Sequence, residues 1–327
     1  MQTAVKTLGW QIVSIAACAG LLASSAAAHT GHSNSQKTAE AMRPPTNAPT
    51  MSADAVPGFL SDGFQQLYSL NFQGARRQFT DYEKARPEDP MGKAAEAASY
   101  LFQEFNTKGV LSSDFFLDDD KLLKGLSGDP EANANPDFVA ANDRARQMAQ
   151  DALKANPADT NALLVLTITD GMESDYDQIV ERKQIPALSL TKQAEAEAHK
   201  LLALDPTAKD AYVALGAAHY IIGCLPGYKR AFLWFGGIHG DREKGMEEMK
   251  IAASQGGYLK PFAKILLALA YRREHEPAQA RKLLTQLNEE FPSNPRFAYE
   301  LSLVERQSGT TDTPSSTPAV TPAQCCK

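Results

Sequence analysis

The sequence predicts an all-α fold, a helical-hairpin superhelix of about five repeats with long inserts inside the middle ones. Three observations predict it. Apolar residues recur at the helical period over most of residues 56–306, in segments closed by Pro or Gly. Small residues recur where two helices of a pair would cross. The spacing is also regular: Ala75, Ala145, Ala194, Gly245 and Ala280 are followed twelve residues later by Pro87, Pro157, Pro206, Gly257 and Pro292. From the first four of these closing residues, the next small position (Ala97, Thr167, Gly216, Ala268) lies ten or eleven residues on.

The last pair reads most clearly: PFAKILLALAYRREHEPAQARKLLTQLNEEFP, Pro261 to Pro292. Leu267, Ala268 and Tyr271 share one face of a first helix, Ala280, Leu284 and Leu287 share a face of a second, and Pro292 stops it. Ala268 and Ala280 allow a close antiparallel crossing, and the larger side chains fill the space around it. A hairpin of this size cannot bury its apolar stripe alone, so copies must stack on it. This unit resembles a tetratricopeptide repeat, a helix–turn–helix of roughly 34 residues. The resemblance covers about Val56 to Arg306.

Taken in order, the first copy holds Phe59, Gly63, Phe72, Ala75, Phe79, Tyr82 and Pro87. The second joins Ala97 and Tyr100 to Ala145, Ala149 and Ala152. The third joins Leu163 and Leu166 to Ala194, Ala198 and Leu201. The fourth starts at Tyr212, Leu215 and Gly216 and resumes at Gly245, Met249 and Ala252. The fifth is the pair described above, and a lone helix from Phe297 to Val304 caps the stack.

Copies two, three and four carry inserts of 36, 15 and 17 residues between their two helices. Inserts at corresponding places in a solenoid fall on one face, often the binding face. In the first insert, Ser113 or Asp114 is expected to cap a short helix bearing Phe116, Leu117, Leu122 and Leu123. The second is expected to lengthen its first helix and break before Pro186. The third carries Tyr228, Phe232, Leu233, Trp234 and Phe235 between Gly-rich bends, a weight of aromatic residues unusual for a solvated loop.

The resemblance implies a concave face lined by the first helices, where peptide-binding members take their ligands. The helical period puts there Leu60, Phe64 and Tyr68; Ala94, Ala98 and Phe102; Leu164, Ile168 and Met172; Val213, Ala217 and Ile221. The Lys/Asn/Arg set that clamps a peptide carboxylate in some members is missing from these positions. The face is apolar and should be covered, either by the chain's own inserts or by a ligand of matching character.

Other candidates read as structural. Asp118-Asp119-Asp120 lacks the alternating ligands and the Gly of a calcium loop, so it reads as a solvated helix start. His219 reads as a packed core histidine, His239-Gly240-Asp241 as a loop and helix cap, and Cys224 as a buried thiol. No nucleophile motif accompanies them, so no enzyme activity, catalytic residue, cofactor or internal metal site is expected.

The termini differ in character. Lys6, the apolar run Leu8 to Leu22 and Ala26-Ala27-Ala28 read as a secretory signal cut after Ala28. Ile15-Ala16-Ala17-Cys18 competes with it as a lipobox-like stretch that would lipidate Cys18, although AGLLASSAAA follows where lipoproteins turn polar. Residues 29–55 and 307–327 are rich in Ser, Thr, Pro and Ala and read as disordered. His29 with His32, and Cys325 with Cys326, are donor types for soft or borderline metals in those tails, where no metal role is expected. The formal charge of −6 and the lack of a basic run exclude nucleic acid as the main partner. The expected function is non-catalytic: a scaffold binding another polypeptide in the periplasm or secreted space. The alternative is an envelope lipoprotein that assists assembly of surface structures and touches membrane through Cys18.

Overall fold

The computed structural model describes residues 56–130 and 134–309. The signal, the lipobox-like Cys18, the cleavage site at Ala28, the Ser/Thr/Pro-rich linker and the Cys-Cys tail lie outside the described residues. Among the described residues there are fourteen α-helices and no strand.

The helices pair as hairpins. α1 (Val56–Tyr68) packs on α2 (Phe72–Ala85), and α3 (Pro90–Thr107) on α6 (Pro136–Ala155), across the short α4 (Ser113–Phe116) and α5 (Asp119–Lys124). α7 (Thr160–Tyr176) packs on α8 (Gln184–Leu204), and α9 (Tyr212–Cys224) on α11 (Arg242–Gln255), with α10 (Gly227–Phe235) between them in the chain. α12 (Lys260–Arg273) and α13 (Pro277–Glu290) make the fifth hairpin, and α14 (Pro295–Gly309) covers its end. The second helix of each hairpin also packs on the first helix of the next, which is the tetratricopeptide-like stack.

Local chemistry starts many of these helices. Asp89, Asp159 and Asn294 accept hydrogen bonds from the backbone N–H groups of Met91, Ala162 and Arg296, each at 2.9 Å, which satisfies helix-start donors. Asn71, Asn135 and Asp241 do the same for the second helices α2, α6 and α11. Pro at the first turn of α3, α6, α12 and α13 costs no intrahelical bond there.

All ten small positions read from the sequence are buried at the crossings. In the fourth hairpin the contact is backbone against backbone. A Cβ added to Gly216 would lie 2.8 Å from the Met249 N and 2.9 Å from the Gly245 O. One added to Gly245 would lie 2.5 Å from the Tyr220 N and 2.7 Å from the Gly216 O. Gly223 and Gly240 meet in the same way at the base of the third insert, so four glycines fix where that insert leaves the stack.

One expectation about the inserts is corrected. Neither Ser113 nor Asp114 caps α4: both lie within it, the N-cap residue is Ser112, and its side chain makes no capping bond. The effective cap is Asp118, which accepts from the N–H groups of Asp120 and Lys121 and starts a separate helix, α5. In the second insert the first helix lengthens and breaks before Pro186, as the sequence leads one to expect. α7 widens into a π-turn over Asp177–Glu181, Arg182 takes a left-handed conformation (φ 58°), and α8 begins at Gln184 with Pro186 in its first turn.

The ends of the stack meet. Phe64 stacks on Tyr258 with ring centres 5.0 Å apart, and Tyr68 and Phe102 pack on Phe291 and Phe262 at 5.5 and 5.6 Å. Tyr68 donates to the Tyr258 carbonyl at 3.0 Å, and the Asn294 side chain donates to the Tyr68 carbonyl at 2.8 Å. Arg296 donates to the Asn106 side chain and carbonyl. The first hairpins are thereby sealed against the last.

Two glycine substitutions separate crossing glycines from ordinary helical ones. Gly245→Ala should cost about 1–3 kcal/mol, because backbone atoms cannot yield to the added methyl group. Gly171→Ala has nothing within 4 Å of its new Cβ and should be neutral or stabilise by up to about 1 kcal/mol. Urea unfolding of both variants checks the contrast.

Candidate functional site

The concave face is largely internal. Leu60, Phe64 and Tyr68 of α1, Ala94 and Ala98 of α3, Met172 of α7 and Val213 of α9 are buried. Phe102, Leu164, Ile168 and Ala217 are half-buried, and Ile221 alone of this set is exposed, at 41%. Ligand contact at Leu60, Phe64 or Tyr68 would require the closing contacts with Tyr258 and Phe291 to open. Asp210 sets the position of that closing loop by accepting from the Gly257 N–H at 2.7 Å, and burial pushes its carboxyl upward. Sequence reading missed Asp210; a lone Asp ahead of Ala211 and Tyr212 carries no local signal of a loop 47 residues away.

The first insert covers the rest of the concave face. Phe116 and Leu122 lie over Ala217, Ile221, Leu266 and Ala270, enclosing an almost wholly apolar cleft of about 60 Å³. Arg273 holds this lid by donating to the Phe116 carbonyl at 2.9 Å and pairing with Asp119. Glu300 of α14 holds its start, accepting from the Ser113 N–H at 3.0 Å and from Arg272 at 2.7 Å. Leu117 is half-buried at the joint between α4 and α5. Cys224 lines the same cleft, half-buried rather than fully buried, and burial raises its thiol pKa. It is a poor thiolate there.

The third insert behaves in the opposite way. α10 has no buried residue; Tyr228, Phe232, Trp234 and Phe235 are 74%, 58%, 61% and 82% exposed. Two contacts hold its ends: Arg230 donates to the Gly223 carbonyl at 3.2 Å, and Lys192 donates to the Gly236 carbonyl at 3.0 Å. Trp234 and Phe235 meet edge to face at 5.4 Å. The helix carries Lys229 and Arg230 and no acidic residue.

Titratable groups cluster between helices. His219 is buried, its Nδ1 lies 2.6 Å from Glu248 Oε2, and its Nε2 lies 3.2 Å from Lys244. The hydrogen bond to Glu248 outweighs burial and raises the imidazole pKa. Arg146 pairs with Asp170 at 3.0 Å and with Glu173, joining α6 to α7. Burial still pushes Asp170 up to about 6. His239 is exposed, and Asp241 caps α11 through the Lys244 N–H at 3.1 Å. Among the described residues, no three His, Cys, Asp or Glu are placed to hold a metal ion, and no helix is long and apolar enough to cross a membrane.

No protein-family model matches this chain, and no curated protein matches it. Among solved structures it is similar to a thermophilic TPR protein of Thermus thermophilus, at 15% identity and a TM-score of 0.42, over 77% of this chain and 100% of that one.

The His219–Glu248 pair sets a direction for pH dependence. A histidine whose folded pKa is raised contributes stability that is fully present below its ordinary value of 6.5 and lost as pH rises through the folded value. The stability gap between wild type and His219→Gln should therefore shrink as pH rises above about 6.5. Asp170 remains in both proteins and cancels in that difference. Urea midpoints across this range measure it, and a gap constant with pH would contradict the pairing.

Proposed function

We propose that this chain is a non-catalytic helical-repeat scaffold that engages another polypeptide through the aromatic helix α10, in the periplasm or secreted space. One observation carries the reading: of the concave-face residues only Ile221 is exposed, at 41%, yet four aromatic side chains of one nine-residue helix are 58–82% exposed. Leaving such a patch in water is unfavourable unless something covers it, and aromatic residues with Arg dominate the energetics of protein interfaces. Trp and Tyr also lose few rotamers on binding, so a short rigid helix can anchor a partner at low entropic cost. Export is supported by the signal-like stretch ending at Ala28. Lipidation at Cys18 is the second reading, favoured by Ile15-Ala16-Ala17-Cys18, and would tether the same scaffold to a membrane.

A photo-crosslinking residue placed at Tyr228, 74% exposed on the same helix, in the native envelope tests this. A reproducible polypeptide should be captured, and Trp234→Asp with Phe235→Asp should abolish capture while moving Tm by less than about 2 °C, since both side chains are exposed. Capture of lipid alone, or capture that survives the double substitution, would overturn the proposal. The intact mass of the native protein distinguishes a His29 N-terminus from a lipidated Cys18.

A further inference from the structure

A second surface, on the opposite side of the hairpins from the concave face, carries different chemistry. Between the outer helices α11 and α13, with α12 as its floor, lies a cleft of about 590 Å³. That volume falls within the usual range for small-ligand sites. Lysines line it from all three helices: Lys250 of α11, Lys260 and Lys264 of α12, and Lys282 of α13. The convergence is notable in a chain with a formal charge of −6.

The nearby carboxylates account for half of these charges. Lys250 pairs with Glu247 at 2.7 Å, and Lys264 with Glu290 at 2.6 Å. Glu276 also acts on Lys250 through space. Lys260 and Lys282 have no carboxylate within ion-pair distance among the described residues. Two further features mark a built site. Lys264 is 8% exposed yet lines the cleft, and with three N–H donors its bond to Glu290 leaves donors to spare. Tyr271 is 9% exposed and also lines the cleft, with no hydrogen-bond partner for its hydroxyl among the described residues. Its ring is largely buried, which fixes its position, and its hydroxyl can donate to a ligand bound in the cleft.

We propose that this cleft binds a small anion bearing more than one phosphoryl group. Ammonium groups act as compact point charges and bind phosphate as such, and four of them spread over three helices suit an anion whose charge is spread over linked phosphoryl groups. Gln279 and Gln286 add neutral donors at its rim.

Titration calorimetry of the full chain with sodium pyrophosphate and sodium tripolyphosphate tests the assignment. Lys260→Gln with Lys282→Gln removes the two charges that no glutamate matches and leaves the Lys264–Glu290 pair intact. It should weaken tripolyphosphate binding at least tenfold, and raising NaCl to about 0.5 M should also weaken it. Tyr271→Phe should weaken it about three- to tenfold, the loss of one hydrogen bond to a charged group. Arg281→Gln, on α13 but outside the cleft, should leave binding unchanged. No binding at millimolar concentration, or equal binding in the double variant, would falsify the site. Citrate binding as tight as tripolyphosphate would overturn the preference for phosphoryl groups. Capture on phosphatidylglycerol vesicles without pyrophosphate binding would replace the free ligand with a lipid headgroup.

Discussion

Everything in this structure depends on how closely two helices approach at each hairpin crossing. Where Gly216 meets Gly245, backbone packs on backbone and no methyl group fits. At the other four crossings Ala, Gly or Thr occupies the equivalent pair of positions, and all are buried. The short separation brings the flanking large residues, Leu215 and Met249 in the fourth hairpin, into full contact on either side. It also explains why long inserts are tolerated. An insert enters and leaves where the helices are already fixed, so the loop-closure entropy it adds grows only slowly with its length.

Closing the stack on itself is the second constraint, and it redirects function. A superhelix with a free concave face has a groove to offer. Here Phe64, Tyr68 and Phe102 spend that face on Tyr258, Phe291 and Phe262, while the first insert, held by Arg273 and Glu300, covers the remainder. The two surfaces proposed for recognition lie outside: an aromatic helix at one insert and a lysine-lined cleft between two outer helices. The two differ in chemistry, one aromatic and the other cationic.

The buried polar groups are arranged to hold elements in register. His219 with Glu248 ties α9 to α11, Arg146 with Asp170 and Glu173 ties α6 to α7, and Arg272 with Glu300 ties α12 to α14. The first two sets span helices that already pack, α9 on α11 and α6 on α7, so their charges are desolvated only where a partner is guaranteed. Removing one partner of such a pair strands the other, which costs about 3–5 kcal/mol when the site is fully buried.

The sequence by itself determined the hairpins. Helical period, small crossing residues, Asp and Asn caps and closing Pro or Gly are local signals, each acting within one helix or one turn. The inserts were legible as interruptions of that spacing, and Asp118 and Asp241 as helix starts. Only the tertiary structure decided which apolar helices are inside. Phe64 and Phe235 are both aromatic residues on amphipathic helices, yet one stacks on Tyr258 and the other is 82% exposed. The difference comes from contacts such as Tyr68 to Tyr258 and Asn294 to Tyr68, made 190 and 226 residues apart. The lysine cleft was hidden for the same reason, because its cations come from three helices that become neighbours only once the hairpins stack.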